Sequence, residues 1–236
     1  DHIAEIVTNH PKRFIGLATL PMQDINLSVK ELERCVNTKG MAGIQIGSHT
    51  NGWNLDDPRI FPILEAAQDL DTAIFIHPWD MLGRERMDRY MMQWLGAMPA
   101  ETQLSILYLI LSGAFERLPE SLKLCFAHGG GSFVFLLGRV DNAWRQRDIV
   151  RDQCPSVPSS YVSRFSVDSA VFDEAALRLL IDVMGEERVM FGTDYPFPLG
   201  EQDMGALIRS ATSISPDEKS KILGLNAKSF FFAHKP

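Results

Sequence analysis

Three ionisable side chains stand at the ends of apolar runs, where parallel α/β folds present their chemistry. His77 closes AIFIH, His128 closes LKLCFAH and Asp194 closes RVMFGTD. Imidazole and carboxylate together are a usual ligand set for Zn²⁺, with one position left for water. Metal-activated water ionises near neutral pH, and a histidine off the metal can shuttle its proton. Pro78 follows His77 and stops the strand, and Trp79 can wall a pocket. Gly129, Gly130 and Gly131 follow His128, letting the backbone turn sharply and approach a ligand. Ser132 then opens a helix as its cap. Asp194, after four apolar strand residues, would be costly without a partner. Taken singly, each has a plainer reading: a hydrogen-bonded histidine, a tight turn that needs glycine, an aspartate capping a helix.

Weaker candidates surround these three. His49 follows another apolar run, and Asp168 ends FSVD, where a helix-cap network would explain it equally well. Asp80, Arg84, Glu85, Arg86, Asp88 and Arg89 form a charged cluster after His77 and read as mostly solvated. Arg139 lies two helical turns beyond the glycines, either on the surface or reaching an anion across an interface. His2, His10 and His234 have no supporting context.

The elements that must position these groups alternate along the chain. Near-continuous apolar runs at Phe14–Leu20, Gly43–Gly47, Ala73–His77, Leu122–His128, Phe165–Ser169 and Val189–Asp194 read as parallel strands buried on both faces. Amphipathic stretches between them read as helices: Asn26–Lys39, Pro58–Asp71, Glu101–Glu116, Ser132–Arg147, Asp173–Gly185 and Gly200–Thr212. A last helix is expected over Pro216–Phe232, opened by Ser215 with Glu218 three residues on. Six such units imply a parallel sheet with right-handed crossovers, either open and doubly wound or closed as a barrel. No glycine-rich phosphate turn follows the first strand, which disfavours a nucleotide-binding open sheet. A TIM barrel has eight units. The chain opens inside a helix, Asp1–Asn9, so we expect one partial barrel domain over residues 1–236 with its first two units missing.

Composition narrows the function classes. The 45% hydrophobic and 22% charged content is that of a water-soluble globular protein. A formal charge of -7 without a basic run argues against nucleic-acid or anionic-membrane partners. No apolar run approaches the roughly 18 residues that span a bilayer. Cys35, Cys125 and Cys154 form no paired motif, so a reducing, cytoplasmic setting is expected.

The runs RFIGLATLPMQD, GIQIGSH, FIHPWDM, MPAET, CFAHGGGSF, GRVDNAW and FGTDYPFPLGE resemble those of the 2-amino-3-carboxymuconate 6-semialdehyde decarboxylases of the amidohydrolase superfamily. The resemblance covers about Pro11 to Phe232. AHGGG and GTDYP alone mark only the wider decarboxylase branch. The resemblance implies a TIM barrel whose fifth, sixth and eighth strands end in His77, His128 and Asp194. It further implies a catalytic Zn²⁺ held by His77 and Asp194, with His128 as general acid/base. Arg139 would reach the neighbouring active site of a homodimer to bind a substrate carboxylate, and Met81, Trp94 and Phe197 would line the substrate pocket. The implied reaction is loss of CO₂ to give 2-aminomuconate 6-semialdehyde. The family's first-strand His-x-His and N-terminal arginine have no counterpart in this chain, so an incomplete metal site is expected. The alternatives are a related decarboxylase or hydratase on another carboxylated substrate, a hydrolase, or an inactive chain.

Overall fold

The computed structural model describes residues 1–232; His234 lies outside them. After helix α1 (His2–Asn9), strand β1 (Leu17–Thr19) leads into α2 (Ile25–Lys39) and β2 (Gly43–Gly47). A small hairpin, β3 (His49–Thr50) and β4 (Trp53–Asn54), precedes α3 (Phe61–Asp69) and β5 (Ala73–His77). A long irregular segment then enters α4 (Met98–Leu111) through a wide turn at Gln93–Ala97, and α5 (Ala114–Arg117) follows. Next come β6 (Leu124–Phe126), α6 (Phe133–Gln146), α7 (Asp148–Arg151), β7 (Ser166–Asp168), α8 (Glu174–Met184) and β8 (Val189–Met190). The chain finishes with α9 (Ala206–Ser210), α10 (Pro216–Ser220) and α11 (Asn226–Phe232).

The sheet order β1-β2-β5-β6-β7-β8 decides between the two architectures the sequence left open. All five pairings are parallel, and each strand sits beside the next one in the sheet. Right-handed crossovers between sequential neighbours all place their helices on the same face, and no point of reversal exists. That is the arrangement of a (β/α) barrel wall. The register sorts residues by face. Ile46, Ile76, Phe126, Val167 and Val189 pair across five strands and are buried against the helices. From α2, α3, α4, α6 and α8, Leu32, Ile63, Ile106, Phe133 and Leu177 meet them, all fully buried. Each such side chain contributes about 1.5–3 kcal/mol by leaving water. The other face carries Gln45, Phe75, Cys125 and Ser166, and one step further His77 and Asp168.

Several expected boundaries move. β6 ends at Phe126 and β8 at Met190, so His128 and Asp194 lie beyond their strands, whereas His77 is the last residue of β5. The expected Glu101–Glu116 helix begins earlier, at Met98, and breaks at Gly113, whose φ of 69° no α-helix accommodates. The Gly200–Thr212 stretch contracts to Ala206–Ser210, because Glu201 Oε2 and Oε1 accept from the Gly205 and Leu207 N–H groups and hold the preceding residues as a loop. Ser132 occupies the cap position of α6 but makes no cap hydrogen bond with its side chain. Ser215 and Glu218 do form the expected reciprocal capping pair at α10. Cys35, Cys125 and Cys154 are free and buried, and no described helix is long and apolar enough to cross a membrane.

Candidate metal centre and substrate cavity

His77, His128 and Asp194 converge. One ligand atom from each lies within 4.8 Å of the others. The Nε2 atoms of His77 and His128 stand 3.9 and 3.7 Å from the same Asp194 Oδ1. Both separations are too long for hydrogen bonds. They match the span between two ligands placed about 2.0–2.2 Å from a shared ion. The two imidazoles meet edge to face with centroids 4.9 Å apart. Burial and the neighbouring His128 push the His77 pKa down, opposed by Asp194 and a backbone hydrogen bond at Pro78. A depressed pKa keeps His77 neutral near pH 7, with a lone pair free for a cation. These residues fit a divalent metal with a proton carrier beside it: two nitrogens and an oxygen face a common point and do not bond to one another.

Two of the three sit on strained backbone. His128 and Asp194 both have φ of 57°, in the left-handed region that costs a non-glycine residue of order 1–3 kcal/mol. Around His128 the cost is met by the sequence that follows. Gly129, Gly130 and Gly131 all have positive φ, and a Cβ on Gly131 would come within 2.2 Å of the Pro99 carbonyl oxygen. The turn therefore lies directly on the start of α4, and the Ser132 N–H donates to that same carbonyl. Asp168 secures the other side. Its Oδ1 accepts from the Gly129 and Ala170 N–H groups, at 3.0 Å each. Asp168 is thus the anchor of the His128 turn as well as part of the cavity wall.

The cluster opens into a cavity of about 350 Å³ that also exposes Gln45, Phe75, Trp79, Asp168 and Phe197. On the other side of His128 and Asp194 lies a second, more apolar hollow walled by Trp94, Leu95, Met98, Phe172 and Leu199. Of the three residues expected in the substrate pocket, Phe197 lies in the first hollow and Trp94 in the second. Met81 belongs to a third, next to Trp79 and Trp94, and does not line the metal cavity. Arg139 is exposed on α6, away from these hollows, and makes no ion pair among the described residues. Phe135, one turn before it, is 81% exposed. Sequence reasoning missed Gln45, which its alternation within β2 places on the cavity face, and Glu101, a buried carboxylate in a helix where charge reads as a solvent face.

The chain matches the model of the family described as amidohydrolase over residues 1–233. A 2-amino-3-carboxymuconate-6-semialdehyde decarboxylase of Dictyostelium discoideum is 52% identical over 98% of this chain and 64% of its own length. One of Caenorhabditis elegans is 31% identical over 92% of this chain and 66% of its own. The chain thus spans a little under two thirds of these relatives. Among solved structures, 5-carboxyvanillate decarboxylase LigW from Sphingomonas paucimobilis superposes with a TM-score of 0.86 at 32% identity, covering 98% of this chain and 70% of that one. A dihydroxybenzoic acid decarboxylase from Polaromonas with bound manganese gives 0.84 at 29%, covering 98% and 73%.

Proposed function

The chain belongs to the amidohydrolase family, and from that footing we propose that it forms most of the barrel of a metal-dependent, non-oxidative decarboxylase. The substrate we assign is 2-amino-3-carboxymuconate 6-semialdehyde, and the product 2-aminomuconate 6-semialdehyde with CO₂. The single observation that carries this reading is the convergence of His77, His128 and Asp194 on one point in the cavity wall. The 52% identity to the Dictyostelium decarboxylase supports the substrate.

In this reading His77 Nε2 and Asp194 Oδ1 hold a divalent ion, Zn²⁺ by the donor set; the solved relative with manganese makes metal identity a matter for assay. The ion supplies Lewis acidity toward water and substrate oxygens. His128 moves a proton at Nε2 to or from the carbon that bears the departing carboxylate. Its Nδ1 is buried without a hydrogen-bond partner among the described residues. The Gly129–Gly131 turn, fixed by Asp168, keeps His128 aimed across Asp194. Trp79 and Phe197 wall the reacting end of the substrate. The conjugated semialdehyde accepts the electrons left by C–C cleavage, so no organic cofactor is required. Arg139, exposed and without an ion pair among the described residues, binds a substrate carboxylate in the neighbouring site of a homodimer.

The test is a full-length enzyme carrying this chain, assayed for CO₂ release. His128→Ala is expected to abolish turnover while metal content stays at the parent level; a variant with parent turnover would refute the assignment. A benzoate-type substrate is the second reading, favoured by the apolar hollow of Trp94, Met98 and Phe172. A panel of carboxylated dienals and hydroxybenzoates separates the two by kcat/KM.

A further inference from the structure

One carboxylate outside the metal cluster ties the two sides of the cavity mouth together. Glu101, in the first turn of α4, is 4% exposed. Its oxygens serve different elements. Oε1 accepts from the Ser48 hydroxyl at 3.3 Å, just past the end of β2. Oε2 accepts from the Leu82 N–H at 3.1 Å, in the loop that follows His77. His49 grips the same loop, with Nε2 3.1 Å from the Asp80 carbonyl oxygen. A carbonyl only accepts, so that nitrogen carries the proton. The same Nε2 lies 4.0 Å from Glu101 Oε1.

This arrangement has a cost. A buried carboxylate is unfavourable unless its oxygens are satisfied. Asp80 is held at φ of 54°, in the left-handed region that is uncommon for residues other than glycine. A helix-capping role does not account for Glu101, because its oxygens go to Ser48 and Leu82 and not to the free N–H groups of α4. What the contacts do hold is the segment Trp79–Leu82. Trp79 lines the metal cavity, and Met81 lines the adjoining hollow with Trp94.

We infer that Glu101, assisted by His49 and Ser48, is a positioning residue: it sets the Trp79–Met81 wall, and through it the binding of substrate over His77 and His128, without touching substrate itself. The inference rests on the decarboxylase reading above for its kinetic consequence, and on geometry alone for the tether. A leucine at 101 removes both acceptors at similar volume. A glutamine keeps both contacts, since its amide oxygen accepts from Leu82 and its amide nitrogen donates to the Ser48 oxygen.

The test uses the full-length, metal-loaded enzyme with Glu101→Leu, Glu101→Gln and the milder Ser48→Ala. Amide hydrogen exchange over residues 79–86, KM, kcat, metal content and Tm are measured. For Glu101→Leu, exchange at Leu82 is expected to accelerate and KM to rise about tenfold, as loss of binding contacts from the Trp79–Met81 wall would give, with metal content and kcat near the parent. Glu101→Gln should restore both readouts, and Ser48→Ala should fall between. Unchanged exchange and KM in Glu101→Leu would overturn the inference. So would a Glu101→Leu enzyme whose Tm falls while the folded fraction keeps the parent KM, or a Glu101→Gln enzyme as impaired as Glu101→Leu. If the parent releases no CO₂ from any substrate, the functional reading fails separately. Exchange at Leu82 then decides alone, acceleration supporting the tether and parent-like exchange refuting it.

Discussion

Two clusters of charged groups in this chain use the same residue types to opposite ends. At the helical edge, Glu218 accepts from the Ser215 N–H and from Arg178 Nη1 at 2.8 Å, and Arg178 also bridges Asp182. These groups are satisfied, and the hydrogen bonds from Ser215 and Arg178 hold the Glu218 carboxyl down to about 2. At the mouth of the sheet, Asp194 faces two histidines at 3.7–3.9 Å without bonding to either, and the His128 Nδ1 is buried with no partner among the described residues. The first cluster contributes stability. The second carries left-handed backbone at His128 and Asp194 and polar atoms without partners among the described residues, in keeping with the metal-binding role proposed for it.

The sharpest way to break that contrast is to remove the mouth cluster. His77→Ala or Asp194→Ala in the full-length enzyme is expected to lose the metal and to lower turnover on the order of 10³-fold or more. The metal-free variants should unfold no more easily than the metal-free parent. A marked fall in their Tm, followed by scanning calorimetry, would make this cluster structural like the other. Gly131→Ala comes next. It places a side chain at φ of 64° and into the Pro99 carbonyl, costing about 3 kcal/mol or more by urea unfolding. Activity should fall with it, because the His128 turn rests on α4.

Glu218→Gln tests the opposite cluster, with an expected loss of about 1–2 kcal/mol near pH 7 and undiminished turnover. Its pH dependence follows from the depressed pKa. The stabilisation is complete above the unfolded value of about 4.5 and is lost as pH falls toward about 2. Acid unfolding curves of parent and variant should therefore converge across that window; parallel curves would remove Glu218 from the account. Arg139→Ala has the smallest expected effect on stability, within about 0.5 kcal/mol, since the residue is exposed and makes no ion pair among the described residues. Its effect belongs to the assembly. Mixing Arg139→Ala subunits with His128→Ala subunits should restore part of the activity, and failure to do so would place Arg139 outside the neighbouring site.

Much of this fold is legible residue by residue. Gly43–Gly47 and Ala73–His77 are strands at the very bounds their apolar runs suggest, because both of their faces are covered and periodicity is not diluted by solvent. The Ser215–Glu218 capping pair is equally local. Other features leave no local trace. The β3–β4 hairpin consists of two-residue strands, too short for any pattern. Glu101 sits on an apolar helix whose one charge would be read as facing water, and only the approach of Ser48 and Leu82 makes its burial tolerable.

The sequence by itself determined which groups could act: histidines and an aspartate after apolar runs, glycines that permit a left-handed turn after His128, and the alternation of strand and helix that demands a parallel sheet. These follow from side-chain chemistry and from backbone sterics within a few residues. Only the tertiary structure decided that the strands run in sequential order, that two imidazoles share one carboxylate oxygen as their focus, and that Asp168 and Pro99 lock the His128 turn from opposite sides. Those facts depend on contacts between residues dozens of positions apart. Their distances are set by packing of the whole sheet against its helices, which no local pattern encodes.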